Sequence, residues 1–155
     1  MSDQQVVELT VRAPEAGDME ALADLMTQLG YPTRTSEMQM RMETIIANKH
    51  YATFVAVSEG KVCGMIGTRI SYSFEHNSPG GAILALIVSE KMRGRGVGEA
   101  LIKAAENDLA QKNIRRLTVY THFRRTRAHE FYEKLGYEKN GFRLVKELPL
   151  PSDQD

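Results

Sequence analysis

Apolar and polar residues follow one another along the first part of the chain with the spacings of strands and helices. A weak alternation predicts a strand over 6–12. Apolar residues at intervals of three and four then predict an amphipathic helix over 19–29, which ends near Gly30. A methionine-rich segment predicts a second helix over 36–48. The chain is therefore expected to begin with one strand and two helices.

The middle of the chain has the pattern of strands. Two strand-like segments, 51–57 and 61–73, flank Glu59-Gly60 and predict an antiparallel hairpin. A loop rich in serine, asparagine, proline and glycine follows over 73–81. The next segment, 82–88, is almost wholly apolar, which is typical of a central strand covered on both faces.

The last part of the chain returns to alternating helices and strands. Apolar spacing predicts a helix over 98–111, a strand over 116–121 and a second helix over 125–135. A final strand is predicted over 142–148, and the proline-containing polar segment 149–155 is expected to be a flexible tail. The order β-α-α-β-β-β-α-β-α-β predicts one α/β domain over residues 1–155, with a mixed sheet.

A glycine-rich segment, Arg93-Gly94-Arg95-Gly96-Val97-Gly98, lies between the apolar strand and the helix after it. Glycine lets the backbone approach a ligand closely, and the N–H groups of a helix's first turn attract an anion. The simpler alternative is a flexible turn with two solvated arginines. Because the segment directly precedes an amphipathic helix, phosphate binding is the favoured interpretation.

Two common phosphate loops do not fit this spacing. The dinucleotide fingerprint reads G-x-G-x-x-G, but counting from Gly94 or Gly96 places Glu99 or Leu101 at the third glycine. A P-loop ends in Gly-Lys-Ser/Thr, and that ending does not occur in the sequence. The pattern that remains is R-x-x-G-x-G.

Together with the strand end before it, this pattern resembles the first signature of the GNAT superfamily of acyl-CoA-dependent N-acetyltransferases. The resemblance implies an α/β/α sandwich with a mixed, mostly antiparallel central sheet, and acetyl-CoA bound by its pyrophosphate at the glycines. The residues that it assigns to the cofactor are Leu86, Ile87, Val88, Arg93, Gly94, Arg95, Gly96, Val97 and Gly98.

The segment 125–137 is similar to a second signature of the superfamily, N-x-x-A-x-x-x-Y-x-x-x-G-F/Y. The resemblance implies that Tyr132 lies near the thioester sulfur and acts as the general acid for the departing thiolate, and that the Val88 N–H polarises the carbonyl. An isolated tyrosine would instead be expected to pack its ring in the core. The residues that this signature adds to the predicted cofactor site are Arg125, Ala128, Phe131 and Tyr132.

Two positions depart from the superfamily's pattern. Arg125 stands where asparagine is usual, so it either pairs with a CoA phosphate or is solvated. Many relatives have a glutamate on the strand before the glycines, but residues 83–85 are all apolar here. Glu75 and His76, in the preceding loop, are the candidate general bases, with exposed loop residues as the alternative interpretation. His129 is a further candidate base.

Composition narrows the class of partner and the compartment. Twenty basic residues balance twenty acidic ones, so overall charge does not indicate nucleic acid or an anionic membrane. The arginines of 115–127 could also bind nucleic acid, but a CoA-facing or solvated edge is the favoured interpretation. A single cysteine, Cys63, fits a reducing compartment, and the histidine spacing suggests no metal site. With no signal-like N-terminus and no long apolar run, a cytoplasmic protein is predicted.

The sequence thus predicts a metal-independent enzyme that moves an acetyl group directly from acetyl-CoA to an amine. Three short segments are similar to those of a bacterial branch of the superfamily that includes aminoalkylphosphonate and aminoglycoside acetyltransferases. The segments are 28–32, 125–132 and 142–146. A small-molecule acceptor is therefore expected, and the resemblance also allows a homodimer. The competing interpretation is a non-catalytic acyl-CoA sensor, which the missing strand glutamate motivates.

Overall fold

The computed structural model describes residues 8–120, 126–141 and 144–151. These residues fall into two compact units, divided between Val119 and Tyr120. The first unit contains a five-stranded sheet and three α-helices, and the second contains one α-helix. That the whole of 1–155 acts as one domain stays a prediction.

The first unit has the predicted order of elements from its first strand to its last. Helix α1 ends at Gly30, whose φ of 112° is left-handed and whose N–H donates to the Thr27 carbonyl at 3.1 Å. The bounds in chain order are β1 Thr10–Arg12, α1 Met19–Leu29, α2 Thr35–Ala47, β2 Tyr51–Ser58, β3 Lys61–Ser71, β4 Gly80–Val88, α3 Val97–Gln111 and β5 Leu117–Val119.

The strands form one sheet in the order β1-β2-β3-β4-β5. The pairs β1–β2, β2–β3 and β3–β4 are antiparallel, and β4–β5 is parallel. The predicted hairpin turns at Glu59 and Gly60, with φ values of 51° and 75°, as a two-residue hairpin turn requires. The predicted mixed, mostly antiparallel sheet is therefore confirmed.

The two faces of the sheet are covered by different helices. On one face α1 and α2 pack on the sheet, where Leu22 and Met42 join Val55, Met65 and Ile87 in one buried cluster. Helix α3 covers the other face, and its apolar stripe is buried; the stripe consists of Val97, Leu101, Ile102, Ala105 and Leu109. Strand β4 contributes buried residues to both faces, which confirms it as a central strand.

An ion pair ties the end of β1 to the start of α1. Arg12 donates to both oxygens of the Asp18 carboxylate, with Nη1–Oδ2 at 2.7 Å and Nη2–Oδ1 at 3.0 Å. Asp18 Oδ2 also accepts the Glu15 N–H at 2.7 Å. These hydrogen bonds, from Arg12 first, hold the pKa of Asp18 below its ordinary value.

The second unit departs from the expected order. Helix α4, Thr126–Lys134, confirms the helix predicted over 125–135 within the described residues, and Gly136 follows it with a φ of 93°. The strand predicted over 142–148 is wrong for the described residues 144–148, which form no strand. Leu144 and Val145 are exposed there. Alternating β-prone residues form a strand only beside a partner strand, and these residues have none among the described residues.

Candidate functional site

The predicted phosphate loop runs from the end of β4 to the start of α3. After a 3-10 turn at Glu90–Met92, Gly94 and Gly96 have left-handed φ values of 76° and 82°. A Cβ added to either glycine would have no other heavy atom within 4 Å in the described part of the chain. Glycine is needed here for its backbone conformation, and the space beside the loop is free for a ligand.

The first turn of α3 presents N–H groups to the same space. Gly96 is the N-cap residue, no side chain caps the helix, and the Gly96 carbonyl accepts the Ala100 N–H at 3.1 Å. The N–H groups before Ala100 therefore lack partners within the helix and suit an anion. Arg93 and Arg95 are exposed beside them and form no ion pair with a described residue.

A glycine in β3 fixes how closely α3 approaches the sheet. A Cβ on Gly64 would lie 3.0 Å from each of three atoms: the Ile87 carbonyl oxygen, Leu101 Cδ1 and Val97 Cγ1. Any side chain at position 64 would therefore push the start of α3 away from β4. Sequence analysis missed this role of Gly64, although a glycine inside a strand signals close packing.

The outer edge of β4 carries backbone groups suited to an extended ligand. The Ser89 N–H donates to the Cys63 carbonyl at 2.8 Å, so Ser89 faces β3. Neighbouring residues of a strand face opposite edges, and Leu86 and Val88 therefore face the β5 side. Within the described residues, β5 pairs only with Gly81–Ile83. The N–H and C=O groups of Leu86 and Val88 have no partner strand in that part of the chain.

A β-bulge interrupts β4 at the point where that edge begins. In the register with β3, Gly67 is opposite Ala85 and Thr68 is opposite Ile83, which leaves Leu84 as the extra residue. A bulge bends its strand and redirects the residues around it. The side chain of Leu84 is 39% exposed although its neighbour Ile83 is buried. No signal in the apolar triplet at 83–85 distinguishes this bulge from a regular strand.

A contact from α1 holds the chain just before the glycines. The Gln28 side-chain oxygen accepts the Glu90 N–H at 3.1 Å, which connects the last turn of α1 to the 3-10 turn after β4. This hydrogen bond fixes where the loop leaves the sheet. Sequence analysis did not identify Gln28, because the two residues are 62 positions apart.

The two candidate general bases lie on the surface. Glu75 and His76 are exposed, and both of their backbone N–H groups donate to Ser73 Oγ at 3.1 Å. This shared acceptor shapes the loop between β3 and β4 without engaging either side chain. Their role as bases stays a prediction.

The second signature lies in the other unit. Ala128, Phe131 and Tyr132 are partly buried on α4, whereas Arg125 lies outside the described residues. The Tyr132 ring contacts those of Phe131 and Tyr137 edge to face, with centroids 5.3 and 5.7 Å apart. His129 is partly buried on the same helix. The assignment of these residues to the cofactor and of Tyr132 to acid catalysis stays a prediction.

Other kinds of site find little support in the described ranges. No group of three potential metal ligands occurs among those residues. None of the helices described is long and apolar enough to cross a membrane. Cys63 is buried with Sγ 3.5 Å from the Ala56 carbonyl oxygen, and burial raises the pKa of its thiol. A raised pKa opposes thiolate formation, so Cys63 is not an activated nucleophile.

The bulged β4 and the glycine-led α3 belong to an α/β fold, and their backbone groups are suited to an extended, phosphate-bearing ligand. Residues 19–137 match the model of the Acetyltransferase (GNAT) family, and the chain belongs to this family. The family that the two signatures predicted is thereby confirmed. Membership also supports the predicted class of enzyme, an N-acetyltransferase.

Individual relatives extend the similarity to sequence and fold. The chain is 34% identical over 101 residues to an aminoalkylphosphonate N-acetyltransferase of Salmonella typhimurium, a match that covers 65% of this chain. It spans 64% of that enzyme's length. An aminoglycoside N-acetyltransferase solved in complex with CoA has 22% identity and a TM-score of 0.81, covering 93% of this chain and 97% of that one. A transcriptional regulator of Bacillus halodurans has 20% identity and a TM-score of 0.84, covering 91% and 100%.

Proposed function

We propose that this protein transfers an acetyl group from acetyl-CoA directly to the amine of a small molecule. The observation that carries the proposal is the open edge of β4 at Leu86 and Val88, followed at once by the uncapped, glycine-led start of α3. One extended ligand with a pantetheine arm and a pyrophosphate matches both features. The membership of the chain in the acetyltransferase family supports the same donor.

In this proposal the donor is held mainly by backbone groups. The pyrophosphate binds the N–H groups at Gly94–Gly98, and Arg93 and Arg95 neutralise its charge. The pantetheine arm extends along β4, where the Val88 N–H donates to the thioester carbonyl and stabilises the oxyanion that forms as the amine attacks. The tetrahedral intermediate then collapses with loss of the CoA thiolate.

The acceptor must reach the thioester as a neutral amine. A primary amine with a pKa near 10 is mostly protonated at neutral pH, so a base or a water chain has to remove one proton. Glu75 and His76 are the proposed bases, because both lie on the loop that leads into β4. The relatives named for aminoalkylphosphonates and aminoglycosides support a small-molecule amine as the acceptor.

We propose that Tyr132 is the general acid and that its phenol protonates the departing thiolate. Tyr132→Phe should lower kcat about 100-fold, on the scale of general acid catalysis, while the affinity for acetyl-CoA changes little. Steady-state kinetics and calorimetric titration with acetyl-CoA measure the two effects. Tyr137→Phe is the matched control, since it removes a hydroxyl from the ring that contacts Tyr132. Equal kcat values for Tyr132→Phe and the wild type would remove Tyr132 from the mechanism.

The proposed function is tested by release of CoA from acetyl-CoA in the presence of a panel of small amines. We expect turnover with at least one amine, and mass spectrometry should find its acetylated product. Tight binding of acetyl-CoA without turnover across a broad panel would instead favour the acyl-CoA sensor. Absence of binding would contradict both functions.

The proposal includes a cytoplasmic location and allows a homodimer. The buried, unpaired thiol of Cys63 supports a reducing compartment. Light scattering on the purified protein measures the oligomeric state directly, and a molecular mass of 17.4 kDa would indicate a monomer.

A further inference from the structure

Two arginines of the first unit, Arg69 and Arg116, lie on the same face of the sheet. On β3, Met65 packs with α1 and α2 whereas Gly64 faces α3, so alternation places Arg69 on the α1/α2 side. On β4 the Cβ direction of Gly81 meets Leu109 of α3, and that of Gly80 points to the opposite side. It is Gly80 whose added Cβ would lie 3.0 Å from Nη2 of Arg116.

Arg69 is a partly buried cation that lacks an anionic partner among the described residues. Its Nε is fully buried and has no hydrogen-bond partner among those residues. Nor does its guanidinium form an ion pair with any residue in the described part of the chain. A buried donor that is left unsatisfied costs stability, and such groups in native proteins call for a specific explanation. A ligand that accepts from Arg69 when it binds would supply one.

Arg116 is close enough to share that ligand. Arg69 is paired with Ala82 in the β3–β4 register, and Ser71 with Gly80, so Arg69 and Gly80 are diagonal neighbours. Diagonal neighbours on one face lie about 7–8 Å apart, within the reach of two long side chains. The Arg116 guanidinium, beside Gly80, also forms no ion pair with a described residue. Two guanidinium groups that form no ion pair within the described ranges therefore lie beside small residues of β4.

The same face has room for a ligand between the arginines and the bulge. A Cβ added to Gly67 would have no other heavy atom of the described residues within 4 Å, so those residues leave the sheet uncovered at this point. Gly67 is opposite Ala85, directly beside the bulged Leu84. Two residues along a strand span about 6.6 Å, which is the distance from Arg69 back to Gly67. A short molecule can thus place one end at Arg69 and the other at the bulge.

We propose that Arg69 and Arg116 bind the anionic group of the acceptor, so that the substrate is a short amine carrying a phosphonate, phosphate or carboxylate group. The inference rests on the proposed function, since the amine of this acceptor has to reach the thioester on the open edge of β4, which begins at the bulge. Guanidinium groups bind such oxyanions through paired, charge-assisted hydrogen bonds.

The first test compares two substrates that differ in charge. 2-Aminoethylphosphonate and its diethyl ester have the same amine and spacer, but only the free acid carries an anion. We expect the wild type to prefer the acid in kcat/KM. 3-Aminopropionate carries a carboxylate in place of the phosphonate, so its kcat/KM shows which of the two anionic groups the site prefers. Equal or better use of the ester by the wild type would overturn the inference without any substitution in the protein.

The second test removes each guanidinium in turn. Arg69→Gln and Arg116→Gln should each reduce the preference for the acid over its ester about 10- to 100-fold, the scale of a lost charged hydrogen bond. The preference is the kcat/KM for the acid divided by the kcat/KM for the ester of the same variant, so differences between variants in the folded fraction cancel. Arg115→Gln removes the exposed neighbouring arginine and is the matched control. An unchanged ratio in both variants would contradict the assignment.

A binding measurement separates this inference from the proposed function. Calorimetric titration of the CoA-loaded protein with 2-aminoethylphosphonate should show weaker binding by Arg69→Gln than by the wild type. If that difference appears but no amine is acetylated, the anion site stands and the enzymatic function fails. If neutral amines are acetylated and no arginine affects phosphonate binding, the function stands and the anion site fails.

Discussion

Two glycines of strand β3, three positions apart, have opposite surroundings. At Gly64 an added Cβ would lie 3.0 Å from the Ile87 carbonyl oxygen and from two side chains of α3, whereas at Gly67 it would meet no atom of the described residues within 4 Å. Gly64 faces α3. Gly67 faces the side of the sheet on which α1 and α2 pack against Met65, but it lies outside their buried cluster. Around these glycines the α3 side of the strand pair is therefore closed, and the α1/α2 side is open beside Gly67.

The difference assigns two separate tasks to the two faces. On the closed face, tight packing positions the start of α3 beside the end of β4, as backbone recognition of a cofactor requires. On the open face, the space above Gly67 and the unpaired Arg69 are suited to a second, smaller molecule. Donor and acceptor would thus approach the open edge of β4 from different directions.

The largest effect is expected on the closed face. Gly64→Ala forces α3 or β4 to move and should destabilise the protein by about 1–3 kcal/mol, the cost of overpacking. The melting temperature should fall by about 3–10 °C, and the affinity for acetyl-CoA should fall with it. Gly67→Ala is the matched control and should change stability by no more than about 0.5 kcal/mol. If thermal unfolding shows equal effects of the two substitutions, the two faces do not differ as described.

A smaller and more selective effect is expected on the open face. Gly67→Leu fills the uncovered space with a side chain and should lower kcat/KM for the acceptor about tenfold or more. The affinity for acetyl-CoA should remain within about a factor of two of the wild-type value, because acetyl-CoA is proposed to bind at the edge of β4 and the start of α3. Kinetics with the best amine and titration with acetyl-CoA measure the two quantities. A loss of acetyl-CoA affinity in this variant would show that the proposed binding regions for the donor and the acceptor are not separate.

The smallest effect is expected where α1 joins the sheet, away from both regions. Because Arg12 holds the pKa of Asp18 below its ordinary value, the stabilisation by this pair is present above about pH 4 and is lost as the pH falls through the lowered pKa. Asp18→Asn should lower the melting temperature by on the order of 3 °C at pH 7, and by less at pH 3.

Asp24→Asn serves as the control for this pH dependence. Asp24 is an exposed carboxylate on the same helix, and its substitution should leave the melting temperature nearly unchanged at both pH values. A deficit of Asp18→Asn that persists undiminished at low pH would show that the charge of Asp18 is not what stabilises the start of α1.

The features that sequence predicted well are those that depend on residue type at a fixed spacing. Glu59 and Gly60 adopt the left-handed conformations that the hairpin needs, and Gly94 and Gly96 adopt them in the glycine-rich loop before α3. The apolar run of β4 correctly indicated burial on both faces. In each case the local sequence by itself limits the backbone to a few conformations.

The features that sequence missed depend on the register between strands. Leu84 is indistinguishable from its apolar neighbours until the β3–β4 pairing shows it to be the extra residue. The contrast between Gly64 and Gly67, and the lack of a partner for Arg69, appear only when helices are packed on the sheet. The final strand predicted over 142–148 failed at 144–148 for the same reason, since alternation alone supplies no partner strand.

The most direct measurement is the affinity for acetyl-CoA of the wild type, Gly96→Glu and Gly60→Glu. Both glycines have left-handed φ values, of 82° and 75°, so the two substitutions impose similar backbone strain and the same added charge. Only Gly96 begins α3 beside the open edge of β4. We predict that Gly96→Glu weakens binding at least tenfold and that Gly60→Glu binds like the wild type. Equal affinities in all three proteins would contradict an acetyl-CoA site at these glycines.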